Sequence, residues 1–119
     1  MPLASTTAEN QALNGLDASG TPTNLMAFTS LHTASPSTTG ANEYAGVTRQ
    51  ATSWNAAGSG SKTNSTALTF STSGASAVTH VGQWTAVSSG TYGIGAALAS
   101  SVQAASITVA SGAITYSAS

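Results

Sequence analysis

Two histidines, His32 and His80, and three carboxylates, Glu9, Asp17 and Glu43, are the groups in this chain that could move a proton near neutral pH. A hydrolytic zinc site usually takes three protein ligands and keeps a fourth position open. Here that would consume both histidines and one carboxylate drawn from separate segments, leaving no general base, so no metal site is expected. A Ser-His-Asp arrangement is defined by geometry and not by spacing, and the chain is rich in serine, but no GxSxG elbow marks a nucleophile. Gly93-Ile94-Gly95-Ala96-Ala97 lacks the third glycine and following helix of a dinucleotide fingerprint and reads as a strand approached closely by other backbone. Asn64-Ser65-Thr66 matches a glycosylation acceptor, which carries little meaning without a secretory signal. Trp54 and Trp84 could stack on a sugar or a base, though each lies inside a strand pattern and suits core or subunit packing better. No cofactor and no enzymatic activity are expected.

The framework that must position these residues is unusual in charge. Of 119 residues only Glu9, Asp17, Glu43, Arg49 and Lys62 are charged, 4% of the chain, with a net charge of -1; an ordinary soluble domain has about 25%. Two cationic side chains cannot neutralise several phosphates, so nucleic-acid binding is disfavoured. The same shortage removes the polybasic patch that draws a protein to an anionic membrane, and no apolar run approaches the ~20 residues of a spanning helix. The opening MPLASTTAEN has neither a basic flank nor an apolar core, so no signal peptide is expected. Zero cysteines exclude disulfides and thiolate metal sites. Copies so poor in charge repel one another weakly, which favours a life packed in an assembly; Ser and Thr keeping the chain dispersed is the alternative.

One domain is expected, since a chain of this length buries roughly 65% of its unfolded surface. Residues 1–20 read as an N-terminal arm with one short helix at about 6–18: Thr6 to Glu9 fits a capping box, and Ala12, Leu13 and Leu16 form an apolar stripe. Residues 21–119 read as a single β-sandwich domain. Segments rich in Thr, Val, Ile and aromatics recur at 24–32, 46–55, 65–71, 77–87, 91–98, 105–111 and 112–118, between Gly and Ser clusters. This spacing predicts a mainly β protein, an antiparallel sandwich or small barrel of about seven or eight strands. Alternation puts Val78, His80, Gly82, Trp84 and Ala86 on one face, and Tyr92, Ile94, Ala96 and Leu98 on one face of the next strand. Apolar residues on both sides of 24–32 predict a central strand or one with a covered face. Residues 56–65 read as a flexible loop, and Ala110-Ser111-Gly112 as the turn of a hairpin joining the last two strands.

The run Ser30-Leu31-His32-Thr33, Pro36, Thr39-Gly40-Ala41-Asn42-Glu43 and Gly46 leading into Val47-Thr48-Arg49 has the composition of an ordered surface loop. Pro36 fixes one φ, Gly40 permits a tight reversal, Asn42 can close an Asx turn, and Glu43 can pair with Arg49 across the bend. His32 would anchor the start of the loop, and His80 would hydrogen-bond within or beside a sheet. This run resembles the LHTxxPxxxGANE region of small β-rich structural proteins encoded by tailed bacteriophages and prophages. The likeness continues through Val78-Thr79-His80-Val81-Gly82, Trp84 and Ser88-Ser89-Gly90-Thr91-Tyr92. It departs where such proteins carry an aspartate-proline-glycine turn, having Ser35-Pro36-Ser37 instead, so no carboxylate-dependent role is carried over to that loop.

The resemblance implies a non-enzymatic virion protein, made in the bacterial cytoplasm and carried on the capsid surface or the tail. Capsid decoration or a minor capsid role is the leading expectation, because 119 residues lack the long shaft of a self-standing fibre. A minor tail or tail-fibre-tip protein holding a host-surface glycan is the alternative. Expected partners are the major capsid protein or other virion proteins and copies of the chain itself. The residues expected at the docking surface are Leu3 in the arm, His32, Pro36, Asn42, Glu43 and Tyr44 in the loop, and the exposed members of Trp54, Trp84, Tyr92 and Tyr116.

Overall fold

The computed structural model describes residues 24–56 and 60–117. The expected helix at 6–18 and the docking residue Leu3 lie outside that range. The described residues form eight strands: β1 (Phe28–His32), β2 (Gln50–Ala51), β3 (Ser61–Thr63), β4 (Leu68–Ser71), β5 (Val78–Trp84), β6 (Tyr92–Val102), β7 (Ser106–Val109) and β8 (Thr115–Ser117). Every pairing is antiparallel. One sheet runs β2-β1-β5-β6, and two ribbons, β3-β8 and β4-β7, complete the fold.

The core lies where one face of the four-stranded sheet meets the ribbons. Leu31 and Val81, cross-strand neighbours on β1 and β5, supply the sheet side with Ile94. Leu68 and Phe70 of β4, opposite Val109 and Ile107 of β7, supply the ribbon side, joined by Ile114 and by Tyr116 of β8. Strict inside-outside alternation on β4 and β7 follows from having one buried face. By contrast β1 is buried from Thr29 to His32, as befits a central strand covered on both sides.

Three expectations about the elements are corrected. Residues 56–65 contain β3, because its Ser, Lys and Thr need only backbone pairing with β8 and carry no apolar signal. Residues 46–55 pair as strand only at Gln50–Ala51. The last two segments do not form a hairpin. Gly112, at φ 79°, does close a turn in which the Ala113 amide donates to the Ala110 carbonyl at 3.0 Å, but the turn hands the chain from the β4-β7 ribbon to the β3-β8 ribbon.

Buried Asn64 fixes that handover. Its side-chain NH2 donates to the carbonyls of Thr66 (2.9 Å) and Ala110 (3.1 Å), and its Oδ1 accepts from the amide of Ile114 at 2.9 Å. With the side chain 0% exposed and its amide fully used, the acceptor motif at 64–66 is a structural feature.

A β-bulge redirects β6. Gly82 pairs with Gly95 but Trp84 pairs with Tyr92, so one extra residue sits on β6. Tyr92 therefore leaves the face shared by Ile94, Ala96 and Leu98, which stay with the core, and packs on the opposite face of the sheet against Trp84.

Candidate interaction surface

The face of the sheet away from the core is covered by the loop that follows β1. Its ends are tied together: the Thr33 amide donates to the Asn42 carbonyl at 3.0 Å, and the Tyr44 amide to the Leu31 carbonyl at 2.8 Å. Inside the loop the buried Pro36 offers one carbonyl to two amides, those of Gly40 and Ala41, both at 2.9 Å. Gly40 adopts φ 79°, and a Cβ there would stand 2.6 Å from the Trp84 ring, so both conformation and space demand glycine. Asn42 does not close a turn on its own backbone. It sits at φ 63°, and its side-chain NH2 reaches across the loop to the Ser35 carbonyl at 2.9 Å.

Beneath the loop runs a buried polar chain. Trp84 Nε1–H donates to Ser30 Oγ at 2.8 Å, and Ser30 Oγ lies 2.6 Å from His32 Nε2. His32 Nδ1 is 2.7 Å from the Ala41 carbonyl, which can only accept, so Nδ1 carries the proton and Nε2 accepts from the Ser30 hydroxyl. Burial holds the His32 pKa below its ordinary value, opposed by the Ala41 carbonyl and the Glu43 carboxylate, so the ring is neutral at pH 7. A serine, a histidine and an orienting oxygen in sequence have the distances of a nucleophile and its base. Ser30 is 1% and His32 0% exposed, however, so neither atom meets solvent. Gly82 makes room for the pair, since a Cβ on it would fall 2.6 Å from His32 Nε2.

The backbones of His32, His80 and Glu43 lie side by side through cross-strand pairing. Their side chains do not converge. His80 Nδ1 bonds the Thr79 hydroxyl at 2.7 Å, and Glu43 turns to Arg49. No cluster of three potential metal ligands forms among the described residues.

Arg49 is the keystone of this end of the molecule. Its Nε and an Nη donate to the two oxygens of Glu43 at 2.8 and 2.9 Å. The other Nη donates to the carbonyls of Ala86 (3.0 Å) and Ser89 (2.7 Å), and the guanidinium lies 3.7 Å from the centroid of the Trp84 ring. One cation thus binds the loop after β1, the turn at residues 85–91 and the sheet beneath them. Between loop and turn lies an open cleft of about 530 Å³, lined by residues 43–49 and Val87, Ser88 and Ser89. Val87, 47% exposed, stands at its rim.

The sequence-derived docking residues divide. Asn42 and Glu43 reach the surface. His32, Pro36 and Tyr44 are buried and act by holding the loop; the Tyr44 hydroxyl bonds Ser73 at 3.2 Å and accepts from the Ser76 amide at 3.1 Å, and the Ser73 bond chiefly lowers its pKa. Trp84, Tyr92 and Tyr116 are not exposed aromatics, as each is at most 8% exposed. Trp84 and Tyr92 stack edge-to-face under the loop, while Tyr116 lies in the core, accepting from Gln83 Nε2 at 3.1 Å. Trp54 is half-buried, its Nε1 donating to the Met26 carbonyl at 2.8 Å and its ring 5.6 Å from that of Tyr116. Val47, Val87, Ser88 and Ser89, which line the cleft, are not among the docking residues expected from the sequence. Their signal is the Ser88-Ser89-Gly90 turn placed just before an aromatic strand start.

A sheet with one face on the core and the other under a braced loop is that of a small β-rich structural module, the class to which the sequence resemblance points. The family model for the podophage GP4 fiber I protein gp80 matches residues 3–117. The chain belongs to this family of bacteriophage fibre proteins, and is thus a virion structural protein. No curated protein matches it.

Proposed function

We propose that this chain is a non-enzymatic component of the tail fibre apparatus, docked on a neighbouring virion protein through the end formed by the loop at 33–43, the cleft and the turn at 85–91. The family match favours the fibre position over the capsid-decorating role that chain length alone suggests. The observation that carries the docking surface is where the backbone is strained. Ser37 (φ 56°), Asn42 (φ 63°) and Ser89 (φ 53°) are the non-glycine residues at positive φ among the described residues, and all three sit in these two loops. Each such residue costs on the order of 1 kcal/mol and persists only where the surroundings enforce it. Here Arg49 and the tied loop ends enforce it, which preorganises the surface for a partner and cuts the ordering cost of binding.

The test is incorporation. Val87→Asp and Ser88→Arg, both at exposed positions, introduce charge at the cleft rim. Phage carrying either change should yield purified particles depleted of the protein while the isolated variant melts as the wild type does. Normal incorporation of both variants would overturn the proposed surface.

Glycan recognition at a fibre tip is a second reading, favoured by Trp54. It is the tryptophan that keeps part of its ring accessible, beside exposed Asn55 and half-buried Lys62, whose ammonium bonds the Asn55 carbonyl at 2.9 Å. Glycan-array binding that disappears in Trp54→Ala would support it.

A further inference from the structure

We infer that the surface around Trp54 takes a sugar that carries a carboxylate, with the sugar ring packed on the tryptophan and the carboxylate meeting Lys62. This rests on the glycan reading of that surface and names the chemistry of its ligand.

Trp54 and Lys62 stand on neighbouring paired segments. Trp54 forms an antiparallel bridge with Asn64, and Lys62 lies two residues before Asn64, so both side chains fall on one face. Tyr116 marks the same face from the far side: it is the cross-strand partner of Lys62 in β8, and its ring lies 5.6 Å from that of Trp54. Diagonal neighbours across an antiparallel pair stand about 7–8 Å apart, within reach of one sugar ring and its substituent.

Both side chains are held before a ligand arrives. Trp54 Nε1–H is anchored on the Met26 carbonyl at 2.8 Å and the ring leans on Tyr116, while the rest of the half-buried indole stays open. An indole face is electron-rich and favours the polarised C–H groups of a sugar. Lys62 Nζ donates to the Asn55 carbonyl at 2.9 Å, which fixes the ammonium next to the residue that follows Trp54. Two of its three N–H donors remain for a ligand.

Charge selects the acid. The one acidic side chain among the described residues, Glu43, is bound through both oxygens to Arg49. Lys62 is thus the cation among the described residues that has no carboxylate partner. A single ammonium matches a single negative group. A polyphosphate or a nucleic acid needs several cations together, and the Arg49 guanidinium is already occupied.

The experiment titrates the full chain with a panel of uronic-acid oligosaccharides, each beside its neutral methyl ester. Calorimetry gives the affinity, and the indole N–H signals of Trp54 and Trp84 in isotope-labelled protein locate the contact. At low salt an acid should bind about three- to fivefold tighter than its ester, which is what a partly exposed charge pair supplies. The difference should fade at about 0.5 M salt. The Trp54 signal should move, and that of buried Trp84 should not. Lys62→Gln, which keeps a donor for the Asn55 carbonyl, should bind acid and ester alike, whereas Lys62→Arg should keep the preference. Melting curves matching the wild type would show that both variants fold. Equal binding of every acid and its ester, or a preference that survives Lys62→Gln, would overturn the inference and leave glycan recognition standing. No binding of any sugar, or binding that moves Trp84 and not Trp54, would overturn both.

Discussion

Arg49 grips both oxygens of Glu43, six residues back along the chain, while its guanidinium lies on the ring of Trp84 from another strand. The contact joins the only two charged side chains at this end of the described protein, and the arginine side chain is just 7% exposed. Lysine cannot reproduce a bidentate fork, two carbonyl contacts and a stacked plane at once. Arg49→Lys should therefore cost about 2–3 kcal/mol, and Glu43→Gln less because that carboxylate is more exposed. Denaturant unfolding of both variants checks the order.

His32 makes the fold sensitive to acid. Burial holds its pKa in the fold below the 6.5 of a free imidazole, so between the two values the unfolded chain binds more protons than the folded one. The associated stability is complete above pH 6.5 and is lost as pH falls through the folded pKa. Melting temperature should fall on acidification from about pH 6.5, and His32→Gln, less stable throughout, should lose this step.

Tyr92 presents the converse case. Its hydroxyl is the buried side-chain polar atom without a partner among the described residues, and burial pushes its pKa up to about 12. Because the folded value is raised, stability is intact below pH 10 and declines as pH rises toward 12. Tyr92→Phe keeps the ring stacked on Trp84 and removes the orphaned hydroxyl, so it should be neutral or stabilising by up to about 1 kcal/mol. Its alkaline melting profile should also be flatter, although Tyr116, raised likewise by burial, still contributes.

Asn64 should tolerate no truncation. Asn64→Ala leaves two carbonyls and the Ile114 amide without side-chain partners in a buried turn, at a cost of about 3 kcal/mol or more. Calorimetry should show a lower melting temperature, and amide exchange at Ile114 should accelerate first.

Strands at 65–71 and 105–111 were legible in the sequence from their Thr, Val, Ile and aromatic content, and β4 and β7 form there with one buried face each. So was the Glu43–Arg49 pair, which needed only opposite charges across a glycine bend. The Tyr92 side chain was misplaced because a bulge changes the face of a strand without altering its composition. β3 was invisible because a short polar strand held by backbone pairing looks like a linker. Burial of Trp84 and Tyr92 could not be read from their strands alone, since the cover is a loop that starts some fifty residues earlier. The same loop hides His32, which links the two ends of that cover through Ser30 and Ala41.

Cryo-electron microscopy of the assembled phage would locate the chain and show which end of it meets a neighbour. The proposed role predicts density for this chain in the fibre apparatus, with residues 33–49 and 85–91 against a neighbouring virion protein. Density for the chain on the capsid shell, or in the fibre with that end facing solvent, would contradict it.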